Sequence, residues 1–449
     1  MMQRRENRFF SNSDLFKLFS PIIVEQFLEY SVGLINSIMA ASVGEAAVSA
    51  VSLVEFIMAL FISVFSAIAT GGSVVAGRFL GAKQGGNAKN AINQLIWFSL
   101  IFSSAIMFAL LLGRNFILDF MFGDVSADVR NAAKIYLVVS SLSVPFLAVY
   151  AAAAGAFRTM DNSKLPMYIM LNTNILNVIL TAVAIYRFDS GILGIALSVL
   201  ATRILAAAAI VYLLLDRSRR LRLKKSLKFK FDPATIKRIL DIAIPYGFEN
   251  GLFYAGRLIV LSLIATLGTA SIAANAVGGT IAMYQVLPGM AIGVGFSVIV
   301  SRCVGAGDFE QVEFYTKKII ALVYVSQFFS ILATILLLEP ILSLYSLSPE
   351  ANEMTKQVVW WHGAAMLAIW PLAYTFPVVF RAAGDARYAM WVSVWCMFAC
   401  RIALSYVFAL QLGMGMIGTW FAMFADWGVK GVLFTVRYLN GKWMKFKIV

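Results

Sequence analysis

The sequence predicts an all-α polytopic membrane protein made of two repeats, and three observations support this class. The chain has 449 residues, of which 61% are hydrophobic and only 13% charged, and its mean hydropathy is +0.82. Soluble domains have a much lower apolar content. The apolar runs are long and unbroken, which is typical of membrane-spanning helices rather than of the alternating strands of a barrel. The third observation is internal: residues 245–308 repeat residues 21–84.

The repeat has a fixed offset of 224 residues and no gap, and it contains nineteen identities over 64 positions. Shared apolar composition does not align prolines, glutamates and arginines in register, so the pattern indicates a tandem duplication. The aligned identities include Pro21 with Pro245, Glu25 with Glu249, Arg78 with Arg302 and, near the ends of the halves, Gly191 with Gly415.

We predict twelve membrane spans, most of them long enough to cross a hydrocarbon core of about 30 Å. They lie at residues 20–43, 52–77, 92–113, 131–156, 165–187, 191–215, 239–266, 275–300, 318–338, 355–380, 388–410 and 414–437. Each repeat has an even number of spans, so both copies have the same orientation in the membrane. The predicted organisation is a cytoplasmic N-terminal segment (1–19), an N-lobe (20–215), a basic cytoplasmic linker (216–238), a C-lobe (239–437) and a cytoplasmic tail (438–449).

The distribution of basic residues predicts the orientation. With both termini inside, the cytoplasmic segments hold 28 of the 37 Lys and Arg residues and the outer segments hold five. The positive-inside rule therefore places both termini in the cytoplasm. The same residues account for much of the +14 net charge, so we expect no nucleic-acid partner. The first apolar run lacks a small-residue cleavage site, so we expect no cleavable signal.

Catalytic and metal-binding chemistry has few candidate residues in this chain. There is one histidine, and three cysteines lack the spacing of a metal site. No Gly-Lys phosphate loop or activated nucleophile is visible. We therefore expect no enzyme activity and no cofactor, and no metal other than a Na⁺ ion held by coupling carboxylates.

Four polar or small residues form one stripe on the first span, namely Glu25, Glu29, Gly33 and Asn36. Ionisable side chains at membrane depth are candidates for function, because exposing them to lipid is unfavourable. Two carboxylates one turn apart repel each other when both are ionised. At least one of them should therefore bind a proton or another cation readily, as a proton-coupled or cation-coupled site requires. For Glu25, solvation near the inner headgroups is the alternative interpretation.

Other polar residues inside the predicted spans are candidates for a substrate cavity. Glu249 and Arg257 share a face of the seventh span, where they form either a static neutral pair or a pair that a competitor switches. Asp426 and Lys430 are spaced for a local pair on the twelfth span. The remaining candidates for the cavity are either substrate contacts or structural and solvated groups: Asn36, Glu55, Asn172, Asn177, Thr181, Asn250, Phe253 and Arg401.

The chain resembles the multidrug and toxic compound extrusion (MATE) antiporters along essentially its whole length. The segments that carry the resemblance are LINSIM at 34–39, VGEAAV at 43–48, GRFLGA at 77–82, GAGD at 305–308 and FRAAGD at 380–385. The resemblance implies a monomeric transporter of two six-helix lobes forming a V around a central cavity, in the bacterial inner membrane. It also implies export of amphipathic, often cationic compounds in exchange for H⁺ or Na⁺.

The chain departs from this family at the positions of the usual ion-site acids. Asn36 and Thr181 stand where members carry aspartates in spans one and five, and Phe253 stands where other branches carry a glutamate in span seven. We hypothesise that the coupling carboxylate has moved along the same helix faces. The candidates, in order, are Glu29, Glu25 and Glu249.

Two further transporter classes compete with the exporter. The first is a flippase for lipid-linked precursors, from the same superfamily. The interior cations Arg257 and Arg401 favour it, because they are compatible with a zwitterionic or anionic substrate. The major facilitator superfamily also has twelve spans and a basic central loop. Its loop after span two usually carries an Asp-Arg pair, which Gly-Arg-Phe-Leu at 77–80 lacks.

Overall fold

A computed structural model describes residues 8–122, 126–216, 218–223, 230–345 and 347–446. These residues are almost entirely helical and include no β-strand. They form two compact units. Of the predicted basic linker, Arg217 and residues 224–229 lie outside the described residues.

The first unit spans residues 10–244 and contains the six helices of the first repeat. They are α1 (Asn12–Ala41), α2 (Glu45–Gly81), α3 (Gly85–Phe122), α4 (Ala127–Thr159), α5 (Lys164–Tyr186) and α6 (Gly191–Leu214).

The second unit begins at Pro245, inside α7, and also includes Arg8 and Phe9. Arg8 lies 4.0 Å above the Phe314 ring of this unit. Its helices are α7 (Pro233–Ala265), α8 (Thr269–Gly305), α9 (Phe309–Leu336), the short α10 (Leu338–Ser343), α11 (Pro349–Ala368), α12 (Trp370–Ala383), α13 (Ala386–Gln411) and α14 (Gly415–Leu439).

Among the described residues, ten helices are long and apolar enough to cross a membrane, namely α1 to α9 and α13. α11 and α12 meet this condition together as one span bent by 51°. α14 has 25 residues and includes the charged residues Asp426 and Lys430 in its middle. It completes the second set of six, which confirms the predicted all-α fold of twelve spans in two repeats.

The bend between α11 and α12 interrupts the predicted span 355–380. Ile369 has φ −130° and separates the two helices, and Pro371 lies in the first turn of α12. Proline has no backbone N–H and its ring clashes with the preceding turn, so Pro371 weakens the helix at this point. The predicted span is therefore made of two helical segments joined by a bend.

Small residues allow close helix packing in the first unit. A Cβ atom at Gly155 of α4 would lie 2.4 Å from Ser73 Oγ of α2, and one at Gly71 would lie 2.7 Å from the Ile239 carbonyl oxygen. Backbones approach this closely in membranes only where side chains are small. The first of these contacts joins α2 to α4, and the second fixes the start of α7 against α2.

The start of α7 is also held by its N-terminal cap. Asp232 accepts hydrogen bonds from Thr235, 3.2 Å from the backbone N and 2.7 Å from Oγ1. It also accepts one from Asn90 Nδ2 of α3 at 2.7 Å. Asp232 thus satisfies free N–H groups at the helix start and ties α7 to α3.

Candidate ion-coupling and substrate sites

Glu25 on α1 is fully buried and paired. Its Oε1 atom accepts a hydrogen bond from Arg158 Nη2 of α4 at 2.7 Å. The Tyr150 hydroxyl lies 3.3 Å from the same oxygen and 3.0 Å from the Pro166 carbonyl. Glu25 is 1% exposed, so it is not solvated. Its negative charge is balanced in place by one arginine.

Glu29 lies one helical turn further along α1 and has different surroundings. Its Oε2 atom accepts a hydrogen bond from Gln26 Nε2 at 2.7 Å. Within the described residues it forms no salt bridge with any lysine, arginine or histidine, and it is only partly buried. Of the three predicted coupling carboxylates, Glu29 is the one without a cationic partner.

Glu249 is the counterpart of Glu25 in the second repeat, and it is also paired. It accepts hydrogen bonds from Arg381 Nη1 at 3.2 Å and from Ser393 Oγ at 2.7 Å. The Arg381 guanidinium also lies 4.1 Å from the centre of the Tyr246 ring. These hydrogen bonds give Glu249 a partner, Arg381, other than the expected Arg257, and Arg257 lies exposed on α7.

Both glutamates pair with an arginine that the sequence analysis did not assign. Arg158 and Arg381 each follow a phenylalanine near the end of a helix, and they stand 223 residues apart, one position short of the offset between the repeats. This repeated Phe-Arg dipeptide was the available signal. Because the pairing occurs in both units, it is an inherited feature of the duplicated fold.

A neutral polar cluster occupies the positions where the family usually has aspartates. Asn177 Nδ2 of α5 donates a hydrogen bond to Asn36 Oδ1 of α1 at 2.9 Å. Both residues and Thr181 are buried. Among the described residues, Asn36 Nδ2, Asn177 Oδ1 and Thr181 Oγ1 have no hydrogen-bond partner. The cluster joins α1 to α5 and contains no acid.

The other predicted cavity residues of the first unit have partners of their own. Glu55 accepts a hydrogen bond from the Tyr136 hydroxyl at 2.8 Å. Asn172 is exposed and donates to the Tyr168 carbonyl of its own helix at 2.7 Å. In the second unit, Asn250 lies partly buried on α7.

Buried charges also occur in the second unit, around Asp426 of α14. Lys430 Nζ lies 2.9 Å from Asp426 Oδ1 and 3.1 Å from Oδ2, as the spacing of these two residues indicated. Arg401 Nη1 of α13 lies 3.9 Å from Asp426 Oδ2, beyond hydrogen-bond distance. The Arg401 guanidinium lies 4.9 Å from the centre of the Phe253 ring. One carboxylate thus faces two cations.

Comparison with known proteins agrees with this architecture. The family model described as MatE matches residues 21–183 and 245–407, and so begins at the equivalent prolines of both repeats. An uncharacterized transporter, YisQ of Bacillus subtilis, is 27% identical over 96% of this chain and 95% of its own length. The probable multidrug resistance protein NorM of Thermotoga maritima is 24% identical over 96% and 93%.

A solved structure has the same fold. It is a MOP superfamily transporter from Pyrococcus furiosus, described as having a binding pocket of reverse polarity, and it superposes with a TM-score of 0.88 at 17% identity over 96% of both chains. The family match covers both repeats and the fold agrees along nearly the whole chain. The chain therefore belongs to the MatE family and is a multi-pass membrane transporter.

Proposed function

We propose that this transporter is a secondary active exporter that moves amphipathic small molecules across the bacterial cytoplasmic membrane in exchange for H⁺ or Na⁺. The names of NorM relatives as multidrug resistance proteins support an export function. The observation that carries the proposal is Glu29, a membrane-depth carboxylate that has an amide neighbour and no salt bridge among the described residues. An ionisable group at membrane depth is energetically unfavourable, so its presence there indicates a function.

In the proposed mechanism, Glu29 is the coupling site and the two Glu–Arg pairs are structural. Binding of a proton or Na⁺ at Glu29 favours one conformation of the transporter, and substrate favours the other. Each ligand acts only through its differential affinity for the two conformations. Glu25 and Glu249 already have arginine partners, so removing their charge would leave a buried arginine unbalanced. Glu29 can lose its charge without that penalty.

The rest of the proposal follows the family resemblance and the distribution of charge. Both termini lie in the cytoplasm, because this orientation places most of the basic residues between spans on the cytoplasmic side. The transporter acts as a monomer and needs no cofactor beyond the coupling ion.

The test uses purified protein in liposomes whose membrane potential is clamped with potassium and valinomycin. Efflux is followed for two fluorescent amphipaths of opposite charge, ethidium and dansylglycine, under an imposed pH gradient, a sodium gradient or no gradient. Wild type is compared with Glu29→Gln, which removes the charge while keeping the shape. The matched control is Glu45→Gln, because Glu45 is an exposed acid at the start of α2.

We expect one gradient to drive wild-type efflux at least tenfold above the rate without a gradient. We expect Glu29→Gln to lose that dependence and Glu45→Gln to keep it. The effective gradient identifies the ion. Efflux that is equal under all three conditions contradicts coupled transport, and a gradient dependence that survives in Glu29→Gln contradicts the assignment of the site.

A flippase for lipid-linked precursors is the second candidate, and one observation supports it. The surplus positive charge at Arg401 suits a substrate with an anionic headgroup. In the same liposomes, a flippase would move a fluorescent anionic lipid between leaflets while leaving both soluble amphipaths in place.

A further inference from the structure

Arg401 is a buried cation that shares its nearest carboxylate, Asp426, with Lys430. Its side chain is 11% exposed. Lys430 contacts both oxygens of Asp426, and Arg381 forms a salt bridge with Glu249. Of these five charges in the second unit, two carboxylates neutralise two cations and Arg401 remains. Asp426 lies 3.9 Å from Arg401 but is shared by two cations, so the group keeps a net positive charge that a further anion would offset.

Two hydrogen-bond donors in this part of the second unit lack acceptors among the described residues. One is Arg401 Nη1 and the other is Nε1 of Trp427, the residue directly after Asp426. Trp427 is 3% exposed. Buried donors of this kind normally have a partner, and each one that lacks a partner needs an explanation. Both can donate to an anion, and neither can accept a hydrogen bond from a cationic ligand.

The first repeat provides an internal comparison for these charges. At the offset of 224 residues, Asn177, Thr202 and Ala206 stand where the second repeat has Arg401, Asp426 and Lys430. The first unit forms its equivalent helices with neutral residues at all three positions. The fold therefore does not require the charges, which points to a ligand as the reason for them.

The backbone around Arg401 also differs between the repeats. Arg401 lies in a π-helical segment, Met397–Ala403, inside α13. The equivalent helix α5 is α-helical throughout. A π segment inserts an extra residue into a helical turn and frequently marks a functional site. Here it lies at the side chain that carries the surplus charge, with the apolar Phe253 ring beside it.

We infer that Arg401 binds the anionic group of the transported amphipath, with Phe253 beside the apolar part of the ligand. This inference rests on the proposed transport function and specifies its substrate class, an amphipath with a carboxylate or a similar anionic group. The guanidinium offers paired donors that match a carboxylate, and it repels a cationic ligand.

The test measures equilibrium binding with no gradient, so it is independent of coupling at Glu29. Protein in phosphatidylcholine nanodiscs is titrated with dansylglycine and with its neutral analogue dansylglycinamide, and the rise in dansyl fluorescence gives both dissociation constants. The variants are Arg401→Gln and Arg401→Lys. The control is Arg203→Gln, a cation of the first unit that donates to Ser143 Oγ at 2.7 Å.

We expect wild type to bind the carboxylate at least tenfold more tightly than the amide. Arg401→Gln reduces that ratio to below twofold, Arg401→Lys keeps part of it, and Arg203→Gln leaves it unchanged. If the wild-type dissociation constants for the carboxylate and the amide are nearly equal, the inference is overturned. This result needs only the wild-type protein and does not depend on whether a variant folds. A preference that survives in Arg401→Gln also overturns it.

A second arm distinguishes a free amphipath from a lipid headgroup. The wild-type titration is repeated in nanodiscs containing phosphatidylglycerol. Suppressed dansylglycine binding there supports the anion site and assigns it to a lipid. Equal binding in both membranes, with the carboxylate preference intact, supports the anion site and assigns it to a free amphipath. Neither result bears on the gradient dependence of efflux, so failure of this inference is separable from failure of the coupling proposal.

Discussion

The two repeats share their helices and differ in their buried charge. Each has a glutamate four residues after a proline of its first helix, and each pairs that glutamate with an arginine from the fourth span. Beyond this pair, the first unit has an acid without a cation at Glu29, whereas the second has a surplus cation at Arg401. The duplication has therefore preserved the Glu–Arg pair in both units, whereas the buried charge outside that pair differs between them.

The largest effect expected from this comparison follows removal of the Asp426 charge. Asp426→Asn leaves Lys430 and Arg401 buried without a counter-charge, and breaking such a pair costs about 3–5 kcal/mol. We expect a large fall in the thermal unfolding midpoint in detergent. We expect the double variant Asp426→Asn with Lys430→Gln to recover most of the lost unfolding midpoint, because the second substitution removes one of the two unbalanced cations. At the equivalent position of the first repeat, Thr202→Val is nearly neutral. Equal losses at the two positions would contradict the charge difference between the repeats.

A smaller effect is expected at the shared Glu–Arg pairs, and it differs between them. The Glu25 side chain is 2% exposed and 2.7 Å from its arginine, whereas that of Glu249 is 20% exposed and 3.2 Å away. Pairs nearer water contribute less. We expect Glu25→Gln to destabilise by about 3 kcal/mol and Glu249→Gln by about 1 kcal/mol. Unfolding midpoints of both variants, and of each combined with removal of its arginine, measure the difference. A larger loss in Glu249→Gln would contradict this ranking.

The smallest effect concerns the caps of the first helices of the two repeats. α1 is capped by Ser11 and α7 by Asp232, and replacing either residue with alanine costs about 1 kcal/mol. Hydrogen bonds from the Thr235 side chain and backbone lower the pKa of Asp232. This stabilisation is present above the unfolded pKa of about 3.9 and is lost as the pH falls through the lower folded value.

The measurement for the caps compares unfolding midpoints of wild type, Ser11→Ala and Asp232→Ala at pH 7 and pH 3. We expect the deficit of Asp232→Ala to shrink at pH 3, because this pH lies below the unfolded pKa and protonation of the carboxylate in the unfolded state removes part of the charge-dependent stabilisation. A deficit of the same size at both pH values would show that the Asp232 charge does not stabilise α7.

The fold followed from the sequence because apolar length and repetition are local properties of the chain. The spans and the equivalence of Pro21 with Pro245 needed no knowledge of which helices touch. Several prolines inside the spans predict bends, Pro371 among them, but the sequence does not show which of them breaks a helix, because proline inside a span is tolerated or disruptive depending on its neighbours.

The candidate sites were only partly predictable, because pairing across helices depends on which side chains packing brings together. Glu25, Glu29 and Glu249 were identified from depth and periodicity alone, and these properties do not distinguish a paired carboxylate from an unpaired one. Arg158 and Arg381 sit near helix ends, where a basic residue normally indicates orientation. Their role as partners became visible only with α4 packed near α1, and α12 near α7.

The contact between Gly71 and Ile239 has a consequence for how the protein is made. Residues up to 244 belong to the first unit. That unit can therefore complete its packing only after the ribosome has synthesised the basic segment between the repeats. A nascent chain that stops at residue 215 has all six spans of the first repeat but leaves Gly71 without its neighbour. Biogenesis of the first half therefore ends inside the seventh helix, after the six spans have been synthesised.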